Sequence, residues 1–149
     1  PYSDVGIVSG VPVGKIPAKT KKLIDITKAA LKIGILAAKS GARTGDIGFS
    51  IEKYVKSRGF DVVRQLAGHG VGYAVHEPPL VPNFGEKGKG EILKEGMVLA
   101  IEPMVTEGDW RLKLADDGFT YKTKDGKLSA HFEHSIAVTF QGPVILTKL

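Results

Sequence analysis

Two of the chain's four histidines, His69 and His76, lie seven residues apart in LAGHGVGYAVHEPP, with Gly68, Gly70 and Gly72 around the first. Imidazoles in so Gly-rich a stretch suit a place where backbone comes close to a metal, a substrate or another strand. Further along, Glu102 ends the apolar run GMVLAIEP. A carboxylate buried there would protonate unless it found a partner, and a lysine or a metal ion would each serve. In AHFEHSIAV, strand alternation puts Glu133, Ser135 and Ala137 on a face of small residues, where an ion fits. Phe132, His134, Ile136 and Val138 take the other face, so His134 reads as a hydrogen-bonded core or supporting histidine. His131 shares the parity of Glu133 but sits at the start of the strand, and ranks behind it as a ligand. Asp4, in YSDVGI, adds an acid on the same face as Gly6.

One imidazole and up to three carboxylates, in a chain without cysteine, make an oxygen-rich donor set. That set suits Mn, Fe, Co or Zn. Three carboxylates would offset most of the charge of two divalent ions, and paired ions can share a hydroxide and clamp a carbonyl.

The elements that must position these groups are legible as patterns. A long helix is expected over 17–41, with Pro17 in its first turn and Gly41 at its end. Leu23, Ile24, Leu31 and Leu36 form its stripe, widened by Ile26, Ile33 and Ile35. A second helix is expected from Thr44 as N-cap to a stop at Gly59, with Ile47, Ile51, Tyr54 and Val55 on one side. FDVVRQL reads as a short strand, the stretch from Pro82 to about Gly90 as a polar flexible loop, and GMVLAIEPM as a buried strand ended by Pro103. From Trp110 onward turns at ADDG and KDGK separate strands, SAHFEHSIAVTF alternates, and GPVILTKL supplies a last strand. Two helices followed by mainly antiparallel strands define an α+β class.

At 149 residues a single domain, 1–149, is expected. The net charge of +5 comes from lysines dispersed among acids without interleaved aromatics, which reads as solvated faces rather than a site for specific nucleic-acid sequences. No apolar run reaches membrane-spanning length and no signal peptide opens the chain, so the expectation is a cytoplasmic protein without membrane contact. The chain begins at Pro1, without Met, and PYSDVGI is expected to enter structure almost at once, which reads as the middle of a protein.

GHGVGYAVHEPPLV, GMVLAIEPMV and KTKDGKLSAHFEHSIAVT together resemble three signature blocks of the type I methionine aminopeptidases, the pita-bread (creatinase/aminopeptidase-like) metallopeptidases. They fall in that family's order, 33 residues separating His69 from Glu102 and 31 separating Glu102 from Glu133. The resemblance implies hydrolytic removal of the N-terminal methionine from nascent or new polypeptides, with two divalent metal ions (Co, Mn, Fe or Zn) as cofactors and the ribosome as a candidate partner. It implies that His69 and Glu102 ligate one metal, that Glu133 bridges both, and that Asp4 is the second of the family's two aspartates. It further implies that Glu102 shuttles a proton, that His76 hydrogen-bonds the substrate, and that Val75 and Phe119 line the methionine pocket. The family's first aspartate and the N-terminal half of its fold have no counterpart in this sequence. The chain is therefore expected to be a fragment or short form with an incomplete metal site, inactive or weak alone. A prolidase or aminopeptidase P, or a non-catalytic binding module of the same fold, are the alternatives.

Overall fold

The computed structural model describes residues 16–147. Pro17 stands just before helix α1 (Ala18–Ala37), whose buried positions Leu23, Ile26, Ala30, Leu31, Gly34 and Ile35 recur every three or four residues. The stripe is narrower than expected. Leu36 is 66% exposed, because one step beyond Ile35 rotates a side chain by about 100° around the helix. The helix stops at Ala37 rather than Gly41, and Gly41 (φ 84°) turns the chain in the connection that follows.

Helix α2 (Thr44–Lys56) buries Ile47, Ile51 and Val55. Thr44 is its first helical residue rather than its cap. Arg43 holds the cap position in extended backbone, and the Asp46 carboxylate accepts the Arg43 N–H at 2.8 Å. Asp46 also accepts the Gly88 N–H at 2.7 Å. These two bonds, that from Gly88 foremost, hold its carboxyl below the usual carboxylate range. The stretch expected as a flexible loop is thus fastened to the start of α2. The Arg43 guanidinium donates to the Gly90 carbonyl at 2.7 Å, and the Gly45 N–H donates to the Lys89 carbonyl at 3.0 Å.

The remaining elements are strands: β1 (Asp61–Val62), β2 (Ala67–Gly70), β3 (Glu77–Pro82), β4 (Val98–Ile101), β5 (Met104–Thr106), β6 (Leu112–Leu114), β7 (Tyr121–Thr123), β8 (Ser129–His131), β9 (His134–Thr139) and β10 (Gly142–Ile145). Among the described residues they form a five-stranded sheet in the order β10-β9-β4-β2-β3, a three-stranded sheet β1-β5-β8 and the hairpin β6-β7, with every described pairing antiparallel. β10 and β3 are the outer strands of the largest sheet, and Pro143 lies in one while Pro78, Pro79 and Pro82 lie in the other.

Leu99, Ile101, Ile136 and Val138 share one face of the central strands and join the residues of α1 and α2 in the core. Each such side chain, when fully buried, contributes about 1.5–3 kcal/mol. The opposite face carries Ala100, Ser135 and His69 in a row, since Ala100 pairs with Ser135 on one side and His69 on the other. Two expected single strands are each divided between two sheets. GMVLAIEPM leaves the large sheet after Ile101 and re-enters pairing at Met104, while SAHFEHSIAVTF changes sheets between His131 and His134. Pro103, with no N–H to give a ladder, lies at the first break rather than at the end of all pairing.

Candidate metal centre

The two breaks coincide. Ile101 pairs with His134 and Met104 with His131, so one antiparallel register runs through both and sets Glu102 across from Glu133. Like charges directly opposite one another destabilise a sheet. These two are also withdrawn from water, the side chain of Glu102 being 14% exposed and that of Glu133 only 4%.

Among the described residues, imidazoles rather than lysines accompany Glu102. His69 Nε2 lies 3.5 Å from its Oε1 and His131 Nε2 lies 3.4 Å from its Oε2. His131 Nε2 is also 3.8 Å from Glu133 Oε2. One ligand atom from each of Glu102, His131 and Glu133 falls within 4.8 Å of the others, a spacing that could enclose a metal ion. Buried carboxylates facing each other among imidazole nitrogens are a donor set that fits a divalent cation, whose charge would offset their repulsion.

His69 comes from the middle of β2, where its Nδ1 sits 2.8 Å from the Gly70 carbonyl. This contact fixes the ring so that Nε2 faces Glu102. The glycines beside it allow close approach rather than an unusual bend, for neither has a positive φ. A Cβ at Gly68 would lie 2.3 Å from the Ala100 carbonyl oxygen, and one at Gly70 would lie 2.2 Å from that of Pro78. Of the three things the backbone could approach, it approaches neighbouring strands, and β2 is thereby clamped between β3 and β4.

His76 is exposed in the loop before β3, its ring 4.2 Å from that of His69 and tilted by 54°. Both rings border a cleft of about 580 Å³ lined also by Pro78 and Leu80. Val75, 37% exposed, precedes His76, and Phe119, 88% exposed, sits in the turn of the β6–β7 hairpin; neither lines this cleft. His134, on the apolar face, places its Nδ1 2.9 Å from the Thr147 hydroxyl, and burial pushes its imidazole below the ordinary value. Asp4 lies outside the described residues. The structure thus brings His69, His76, Glu102 and Glu133 into one neighbourhood and adds His131 to them. Strand parity already aligned His131 with Glu133; the sheet change that turns it onto Glu102 left no separate mark in the sequence.

Comparison with known proteins identifies the family and the fold. The chain belongs to metallopeptidase family M24, which matches residues 2–140. It is 50% identical over 148 residues to a methionine aminopeptidase of Clostridium perfringens, covering 99% of this chain and 59% of that protein. It is 49% identical over 135 residues to methionine aminopeptidase A of Synechocystis, covering 91% of this chain and 53% of that one. The crystal structure of methionine aminopeptidase from Thermotoga maritima superposes with a TM-score of 0.89 at 47% identity, covering 92% of this chain and 55% of that structure. A prolidase from Pyrococcus furiosus shares the fold with a TM-score of 0.70 and 28% identity, covering 93% of this chain and 35% of that structure. The fold is therefore the pita-bread fold, and the chain spans about half the length of the curated relatives it matches.

Proposed function

We propose that this protein removes the N-terminal methionine from polypeptides by hydrolysing the first peptide bond. The observation that carries the reading is the direct opposition of Glu102 and Glu133 in a continuous register, with His69 Nε2 3.5 Å from Glu102. The relatives at 49–50% identity support methionine as the residue removed over the prolidase alternative, whose solved example is 28% identical. The two late glutamates and His69 are all present in the sequence, which favours a catalyst over a non-catalytic binding module of the same fold.

His69, Glu102 and Glu133, with Asp4 from the preceding segment, would hold two divalent ions of the Co, Mn, Fe or Zn type. Such ions, when bound, supply Lewis acidity and lower the pKa of bound water toward ~7. Glu102 is then the proton carrier: one carboxylate oxygen accepts a proton from the attacking water and returns it to the departing amine. His76, on the open side of His69, donates a ring N–H to the scissile carbonyl oxygen as negative charge develops there. Val75 and Phe119 are assigned to the methionine pocket on the family resemblance, although neither lines the cleft beside His69 and His76. The setting is cytoplasmic, on new chains that begin with Met, with the ribosome as a candidate partner. Among the described residues no helix is long and apolar enough to cross a membrane.

The test compares hydrolysis of Met-Ala-Ser with that of X-Pro peptides after loading with Co(II) or Mn(II). At most slow release of free methionine is expected from this chain by itself, with X-Pro peptides untouched. Preferential X-Pro cleavage would replace the reading with the prolidase one.

A further inference from the structure

His131 has no part in the roles above, yet its ring lies among the groups that carry them. It ends β8 in the small sheet, opposite Met104, immediately before the chain changes sheets. Its Nε2 is buried and makes no hydrogen bond to any described residue. Separations of 3.4 Å from Glu102 Oε2 and 3.8 Å from Glu133 Oε2 exceed the 2.7–3.2 Å typical of an N–H···O bond. They match instead the gap between two donor atoms that each sit about 2.0–2.2 Å from one shared ion. His69 Nε2 stands off the other oxygen of the same carboxylate by nearly the same distance, 3.5 Å. Glu102 thus has one imidazole at each oxygen.

We propose that His131 is a second nitrogen ligand of the metal centre, binding through Nε2 on the Glu133 side of Glu102 while His69 binds on the other. This rests on the metal reading above and sharpens it. Two imidazoles in place of one move the donor set from oxygen-rich toward mixed, which favours Co and Zn over Mn.

The test titrates metal-free protein with Co(II), following visible absorption and binding heat, for the wild type, His131→Gln and His131→Ala. Both variants are expected to bind Co(II) about 100-fold more weakly, the upper end of what the loss even of an indirect partner of a metal site costs. Their ligand-field spectra are expected to shift as well. Gln keeps an N–H donor, so a His131→Gln protein with wild-type affinity and spectrum would overturn the proposal and leave His131 as a mere donor to Glu102. X-ray absorption on the Co(II)-loaded wild type needs no variant: two imidazoles per centre support the proposal and one overturns it. Wild type that takes up no Co(II) would sink the metal reading itself, a result separable from loss of His131 ligation alone.

Discussion

Acidic side chains are handled in opposite ways at the sheet junction and at the β6–β7 hairpin. In the hairpin turn, Asp117 accepts the N–H groups of Phe119 and Thr120 at 2.9 and 2.8 Å and the Thr120 hydroxyl at 2.6 Å. The Thr120 hydroxyl and these amides hold its carboxyl down to about 2, in full contact with water. At the junction, Glu102 and Glu133 are set against each other by the ladder, largely removed from water, with ring nitrogens standing off beyond hydrogen-bond range. One carboxylate is held by its own turn, and the other two face each other across a strand ladder. The difference separates an acid that shapes backbone from acids that, on the proposed reading, hold a metal ion.

The strongest way to break this contrast is Glu102→Gln. Loss of the proton carrier should lower methionine release by about 1,000-fold in kcat, as removing general acid–base catalysis does. In the metal-free protein the same change removes one of two opposed charges, so its melting temperature should be no lower than that of metal-free wild type. A clear drop would mean that the pair is structural.

Next in size is a comparison of two glycines. Gly68→Ala drives a Cβ toward the Ala100 backbone oxygen and should cost about 3 kcal/mol, as overpacking does, measured by chemical denaturation. Gly118→Ala meets open space but a φ of 75°, so only the roughly 1 kcal/mol of left-handed strain is expected, felt within the hairpin.

Phe119→Ala sharpens the comparison further. An exposed turn residue should change stability by no more than about 0.5 kcal/mol, whereas a pocket role requires KM for Met peptides to rise with kcat little changed. An unchanged KM would return Phe119 to the bare surface.

The smallest effect is a local one with pH. The folded pKa of Asp117 lies below its ordinary 3.8, so its hold on the turn is complete above 3.8 and is lost as pH falls toward about 2. Amide exchange at Phe119 and Thr120, normalised for its intrinsic pH dependence, should lose protection across that window while the core strands keep theirs.

The helices were legible because Leu23, Ile26, Ile47, Ile51 and Val55 repeat at helical spacing around a buried face. Their ends were less so. Thr44 looks like a cap, but Asp46 satisfies the Arg43 N–H, which moves the helix start by one residue. Alternation correctly sorted Glu102 with Ala100 and Glu133 with Ser135, since side-chain parity is a local property of extended chain. Which sheet each strand joins is settled by distant partners, so the double change at Glu102–Pro103 and Phe132–Glu133 was invisible, and with it the approach of His131 to Glu102. The tether of residues 86–91 to α2 escaped for a similar reason: it depends on Asp46 and Arg43, more than 40 positions away.

The prolines on the outermost strands of the large sheet bear on how a polypeptide could lie there. Half the positions of β3, Pro78, Pro79 and Pro82, have no amide hydrogen to offer, and that strand borders the cleft beside His69 and His76. A visiting chain laid alongside β3 finds fewer amide donors than a regular edge strand offers, which disfavours its adding as an extra strand. On the proposed reading, a substrate in the cleft is held by its first residue rather than along its length, a manner of holding suited to trimming ends.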